Sequence, residues 1–253
     1  MDKRSDTIRS LAVMIPWVAV VAAVLLSCRP PTSAEAVPGE NQVRGEERAQ
    51  ILDRLREQQR DVTTLRATVV QRKRHQLLRK EAFSEGTLLF KRPNQVRWEV
   101  DKPERTIILI DGHTLLTYRP DRKEVERRDL REDVVSRAAV EFLTSGMSLD
   151  VAELERRFLV DLYRESGRLV LMLTPRSPWV ARAVASIAIY QDEEQAVPRR
   201  IVLVGQKGDR TETTLTHVHI NPQFREDPFT LRLGPEVRVT DVGKPADERD
   251  SGR

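Results

Sequence analysis

The sequence predicts a mainly β protein, an antiparallel meander of about eleven strands with a few helices. Three observations carry that expectation. Val96, Trp98 and Val100 alternate with Gln95, Arg97 and Glu99, the period of two that marks a strand with one buried and one wet face. Asp111-Gly112 stands between the apolar runs Ile107–Ile110 and Leu115–Tyr118, a strong short-range hairpin signal. Pro93-Asn94, Pro120-Asp121, Ser166-Gly167 and Lys207-Gly208-Asp209 punctuate further strand-like segments, and such turns join sequential antiparallel strands rather than βαβ units. A meander this apolar on one face must curve around a packed core or a ligand.

The elements follow in chain order. Lys3, Arg4 and Arg9 precede an apolar run from Leu11 to Leu26, the pattern of a secretory signal. The run falls short of the roughly 20 residues of a comfortable membrane span, and Pro16 interrupts it. Residues 1–27 are therefore read as a signal peptide, with 1–36 as the alternative because Ala34-Glu35-Ala36 has the small-x-small form of a cleavage site. Leu25-Leu26-Ser27-Cys28 resembles a bacterial lipobox, which makes Cys28 the candidate lipidation site. Residues 28–45 are polar and Pro-containing and read as a linker. One folded domain is expected over 46–242, and the polar tail 243–253 is expected to be disordered. Cys28 is the only cysteine, so the mature chain holds no internal disulfide.

Asn41 to Gln59 predicts a helix, with Ile51, Leu52 and Leu55 on one face. From Leu65 the β-branched content rises and a long strand begins through Thr68-Val69-Val70. Strands are expected near Phe83–Lys91, Gln95–Val100, Arg105–Ile110, Thr114–Arg119 and Glu124–Arg128. A helical pair then intervenes. Val134, Val135, Ala138, Phe142 and Leu143 form an apolar stripe ending at Gly146, and Ser148 fits the N-cap of a short helix through Arg156. Strands resume at Phe158–Arg164, Arg168–Thr174, Val184–Gln191, Pro198–Val204, Arg210–Ile220 and Phe229–Leu233.

Composition narrows the function. The formal net charge is only +4 and aromatic residues make up 5% of the chain, too little of either for a nucleic-acid footprint with stacking platforms. No Gly-rich phosphate loop and no GxSxG element is present, which disfavours a nucleotide enzyme or a serine hydrolase. His217 and His219 alternate along one strand, so both rings could reach one metal, with Glu212 the nearest acid. Without a Cys partner or a third histidine nearby, they read as ordinary surface histidines, as do His75 and His113. No catalytic residue, cofactor or metal is expected.

Gly86, Leu88, Phe90, Lys91-Arg92-Pro93-Asn94, Trp98, Pro103, Asp111-Gly112, Leu115, Tyr118 and Pro120 together resemble the LolA family, periplasmic carriers of outer-membrane lipoproteins. The resemblance extends more weakly from about Ile51 to about Val239, with Leu173-Thr174-Pro175 similar to a later family strand. It implies an incomplete, strongly curved antiparallel β-barrel closed by a helical lid around a hydrophobic cavity for acyl chains. Phe83, Leu88, Phe90, Trp98 and Ile110 are then the candidates to line that cavity, and an ordinary packed core is the competing reading of the same residues. The resemblance also implies that Arg92 is the lid and transfer residue, a role that suits a guanidinium able to donate to several helix-end carbonyls at once; a solvated turn charge beside Pro93 is the competing reading. The stripe Val134, Val135, Ala138, Phe142 and Leu143 and the N-terminal helix are the lid candidates. The implied partners are lipoprotein acyl chains, an inner-membrane transporter that releases them and an outer-membrane acceptor, with the protein itself a monomer of the Gram-negative periplasm. Alternatives on the same fold are a lipid-anchored acceptor, favoured by acylation of Cys28, and an envelope-stress sensor; the least favoured is a metal enzyme built on His217 and His219.

Overall fold

A computed structural model describes residues 41–75, 81–132, 151–194 and 197–242. Thirteen strands form one curled, unclosed sheet in the order β1-β8-β9-β10-β11-β12-β2-β3-β4-β5-β6-β7-β13. They are β1 (Gln42–Val43), β2 (Thr64–Arg74), β3 (Glu81–Lys91), β4 (Gln95–Lys102), β5 (Thr106–Asp111), β6 (Thr114–Arg119) and β7 (Glu124–Asp129). There follow β8 (Phe158–Glu165), β9 (Arg168–Pro175), β10 (Val184–Gln191), β11 (Pro198–Gly205), β12 (Arg210–Ile220) and β13 (Arg238–Asp241). The helices are α1 (Gly45–Arg60), α2 (Val151–Arg157) and the single turn α3 (Pro178–Ala181).

Two runs of hairpin-connected strands meet where β2 pairs with β12. The register is set by period-two burial. Leu65, Ala67 and Val69 of β2 face the same way as Leu88 and Phe90 of β3 and Val96, Trp98 and Val100 of β4. The β5–β6 hairpin pairs Asp111 with Thr114, leaving a two-residue loop whose first residue, Gly112, has φ +59. Only glycine takes that conformation cheaply.

The inner face carries two apolar clusters. The first joins Leu65, Ala67, Val69, Leu88, Phe90, Val96, Trp98, Val100, Ile108, Ile110, Leu115 and Leu215. The second joins Leu162, Leu171, Leu173, Ile187, Ile189 and Ile201 of β8 to β11 with Ile51, Leu52 and Leu55 of α1 and Val151 and Leu154 of α2. So α1 and α2 cover one half of the sheet, and no described helix contributes a side chain to the first cluster.

Several expectations are corrected. Gln42–Val43 pairs with Leu162 and Tyr163, and α1 begins at Gly45, so ordered chain starts inside the stretch read as linker. Gly45 has φ +60, a break between strand and helix that the helical spacing of the apolar residues does not reveal. Phe229–Leu233 is not a strand: Phe229 is buried, but the chain there is irregular and Leu233 is 37% exposed. It belongs to a strap, Asn221–Val237, that carries the chain from β12 to β13, where Arg238–Asp241 pairs parallel to β7. The strap crosses the outer face. Arg97 Nη1 donates to the Pro228 carbonyl at 2.8 Å, and Leu109, the outer-face partner of Arg97, is 3% exposed. The signal segment, Cys28, the stripe Val134–Leu143, Ser148 and the tail 243–253 lie outside the described residues.

Candidate functional site

The pairing register turns the candidate cavity residues into rows. Leu65, Phe90, Val96, Ile110 and Leu115 stand side by side across β2 to β6. The next row runs Ala67, Leu88, Trp98, Ile108 and Thr117. Leu88, Phe90, Trp98 and Ile110 are therefore brought together, each at most 4% exposed. Phe83 is not with them. Its parity in β3 is opposite to that of Leu88 and Phe90, and its ring is 41% exposed on the outer face.

Between the two apolar clusters the inner face turns polar. Thr213 lies beside Gln71, which lies beside Ser84, and Gln71 Nε2 donates to Thr213 Oγ1 at 3.2 Å. One step further along the strands, Thr211 lies beside Lys73. Burial pushes the Lys73 ammonium down from its ordinary 10.5, and the charge of Asp209 only partly offsets this. A second polar margin stands at β6–β7, where Arg119 Nη1 pairs with Glu126 Oε1 at 2.9 Å. The strand-lined lobe is thus apolar in the middle and bounded by hydroxyl, amide and charged groups.

Arg92 occupies the three-residue turn between Lys91 and Gln95, which are paired in β3 and β4. It sits two residues beyond Phe90, at the rim of the apolar lobe. Its backbone N–H donates to Thr63 O at 2.9 Å and its Nη2 to Gln59 O at 2.7 Å. Gln59 lies in the last turn of α1, whose carbonyls lack partners within the helix. The turn is thereby tied to the end of α1. Asn221, a residue the sequence reading missed, reinforces the same junction. Its Oδ1 accepts from Thr63 N at 2.8 Å and Thr64 N at 3.3 Å, and its Nδ2 donates to Asp61 O at 2.7 Å. Asn221 has φ +54, and an Asn-Pro pair after a strand was the available sequence signal.

His217 and His219 do not alternate on one face. A bulge separates the pairs Thr216↔Thr68 and His219↔Arg66, so His217 and Val218 together stand opposite Ala67. His217 takes φ +48, and Val218 packs toward the apolar cluster. Glu212 is engaged elsewhere, held by Arg200 at 2.8 and 3.1 Å. Among the described residues no group of three His, Cys, Asp or Glu side chains could hold a metal ion, and no helix is long and apolar enough to cross a membrane.

A curled, unclosed sheet, antiparallel except for β13 beside β7, with an apolar inner face half covered by helices, defines a protein of the incomplete β-barrel class. The chain belongs to the LolA family: residues 60–232 match the family described as outer membrane lipoprotein carrier protein LolA. An outer-membrane lipoprotein carrier protein of Bordetella avium is 26% identical over 162 residues, covering 63% of this chain and 73% of that protein. One from Chromohalobacter salexigens is 26% identical over 150 residues, 59% of this chain and 67% of its own. Among solved structures, a conserved protein of Thermus thermophilus aligns with a TM-score of 0.47 at 15% identity, over 78% of this chain and all of its own. A LolA superfamily protein of Nitrosomonas europaea aligns with a TM-score of 0.41 at 14% identity, over 72% of this chain and 97% of its own.

Proposed function

We propose that this chain is a periplasmic carrier that takes up the acyl chains of lipoproteins and hands them toward the outer membrane, with no covalent chemistry. The observation that carries the reading is the asymmetry of the inner face. One apolar lobe is filled by Ile51, Leu52 and Leu55 of α1, whereas among the described residues no helix packs on the lobe built on Leu88, Phe90, Trp98 and Ile110. Acyl chains belong in the second lobe, displacing side chains that otherwise pack on one another. Each buried methylene contributes about 0.8 kcal/mol, so full burial of two or three long chains would exceed what a reversible carrier can release. Partial burial, offset by opening a packed structure, keeps transfer reversible. Cargo would arrive from an inner-membrane transporter and leave to an outer-membrane acceptor. Acylation of Cys28 would tether the carrier to a membrane, and Cys28→Ser would then release it into the soluble fraction.

Arg92 is the transfer residue in this reading, because it ties the rim of the strand-lined lobe to α1. Its test compares lipoprotein loading and hand-over for the wild-type protein and Arg92→Leu. Loading should persist and hand-over should fall, with Lys at this position rescuing only in part because an ammonium lacks the guanidinium fork. Equal hand-over by both proteins would reduce Arg92 to a turn residue. A folded protein that binds neither an apolar dye nor any acylated ligand would defeat the carrier reading itself.

A further inference from the structure

The end of α1, the β3–β4 turn and the start of α2 enclose an open pocket of about 370 Å3, lined by Arg56, Gln59, Arg60, Arg92, Pro93, Val151 and Ala152. Among the described residues, the lining holds three guanidinium groups and no carboxylate. Arg56 is neutralised by Asp53 and by Glu155, the latter at 2.9 Å. Among the described residues, neither Arg60 nor Arg92 has a carboxylate partner. Two donors beside the pocket are buried with no acceptor among the described residues: Arg92 Nε and Gln59 Nε2. Gln59 is only 3% exposed, so bulk water does not reach that amide freely. Buried donors are rarely left unpaired, because each keeps the full cost of losing its hydration. A neutral acceptor could satisfy the two N–H groups but not the two uncompensated positive charges. A dianion does both.

The geometry of Arg92 specifies the oxygen arrangement. Nε and Nη2 lie on one edge of the guanidinium, the edge that grips two oxygens side by side. Arg127 uses that edge fully on Asp241, at 2.5 and 2.9 Å. Arg92 uses half of it, Nη2 on Gln59 O. That carbonyl also accepts from Val62 N at 3.1 Å, so it keeps one bond if Nη2 turns away.

We propose that this pocket is a phosphate-binding site, in which Arg92 Nε and Nη2 and Gln59 Nε2 donate to phosphate oxygens and Arg60 supplies the second charge. Occupancy draws Nη2 away from Gln59 O and loosens the tie between the β3–β4 turn and α1; that consequence rests on the reading of Arg92 as the transfer residue, whereas the site itself does not. A lipid head group and free inorganic phosphate offer the same chemistry.

The experiment titrates inorganic phosphate into the purified protein at constant ionic strength, with chloride as the control anion, and follows binding by calorimetry and 31P NMR. Saturable binding is expected, abolished by Arg92→Leu and weakened at least about tenfold by Gln59→Leu. Arg60→Ala should weaken it less, and Arg54→Ala, on the exposed face of α1, should leave it unchanged. Gln59→Glu places a negative charge at the same point with nearly the same shape and should abolish binding, which keeps the test open if Gln59→Leu folds poorly. No saturable binding by the wild-type protein, or binding as tight as wild type by both Gln59 variants, overturns the site. A second arm compares inorganic phosphate with a short-chain phosphatidate and its phosphate-free diacylglycerol. Tighter, Gln59-dependent binding of the phosphatidate assigns a lipid head group, and equal binding assigns the free ion. Dye or acyl-ligand binding should survive in Gln59→Leu, so loss of the phosphate site and failure of the carrier reading are distinguishable.

Discussion

Gly86→Ala should break the sheet at the margin of the proposed binding lobe, beside its polar Gln71–Ser84 row. Gly86 stands between Val69 of β2 and Val100 of β4 on the inner face, where a register shift separates it from the pair Glu85↔Lys102. A Cβ built at this position meets the Glu99 carbonyl oxygen at 1.8 Å, the Glu99 carbonyl carbon at 2.8 Å and the Val100 Cα at 2.9 Å. All three are backbone atoms, so no rotamer change relieves the contact. Real Cβ atoms essentially never approach closer than 3.0 Å, so β3 and β4 must separate by at least about 1.2 Å here (3.0 less 1.8). Overpacking a well-filled core costs about 1–3 kcal/mol, and stretching the neighbouring ladder bonds adds about 0.5–1.5 kcal/mol for each one weakened. The expected loss is roughly 2–4 kcal/mol, a fall in Tm of roughly 5–15 °C for a domain of this size. Urea unfolding with tryptophan fluorescence measures it directly, because Trp98 lies in the adjacent row. A Gly86→Ala protein within about 0.5 kcal/mol of wild type would show that the close approach of the Glu99 backbone to Gly86 does not constrain the sheet, and the reasoning would fail.

Two further predictions rest on other elements. Asn221→Ala removes the acceptor for Thr63 N and Thr64 N and the donor to Asp61 O while straining φ +54, so it should cost about 2–3 kcal/mol in urea unfolding, against about 1–2 kcal/mol for Asn221→Gly, which keeps the backbone free; equal stabilities of the two variants would discard the strain component. The Arg200 side chain holds the Glu212 carboxyl below its ordinary 4.5, so this pair stabilises the fold above that value and the contribution disappears as pH falls through the lowered pKa; the stability gap between wild type and Glu212→Gln should therefore be present at neutral pH and close in acid, and a gap independent of pH would contradict the pairing.

Much of the sheet was legible because its signals are local. The alternation through Val96, Trp98 and Val100 fixes which side chains share a face, and Asp111-Gly112 fixes the hairpin beside it. The same parity rule should have excluded Phe83, since an odd offset from Leu88 and Phe90 sends it to the other face. The misses are non-local or involve single residues. Phe229, Leu231 and Leu233 alternate as a strand would, but strand formation needs a partner edge. The chain there crosses the outer face instead of extending it, and only beyond Val237 does it reach the free edge of β7. The bulge at His217–Val218 is likewise invisible to a strict period of two. Arg92 was found through its turn and its neighbours in the family pattern, but its acceptor, the Gln59 carbonyl, could be named only once the fold had brought the two together.

What holds α1 decides what can move. Ile51, Leu52 and Leu55 are 4%, 2% and 1% exposed, and burying three such side chains contributes roughly 5–9 kcal/mol before chain entropy is counted. The bond from Arg92 to Gln59 O contributes about 1.5–3 kcal/mol at most, as a hydrogen bond from a charged donor. Packing therefore outweighs the tie, and losing Arg92 cannot lift α1 from the sheet. What the tie governs is the last turn of the helix and the chain from Asp61 to Thr64, which is otherwise held by burial of Val62 and by Asn221. That segment leads straight into Leu65, beside Phe90 and Val96 at the rim of the strand-lined lobe. The proposed carrier function thus calls for a rim that loosens while the helix-filled lobe stays packed: in that proposal one half of the inner face would serve as a permanent core and the other as an exchangeable one.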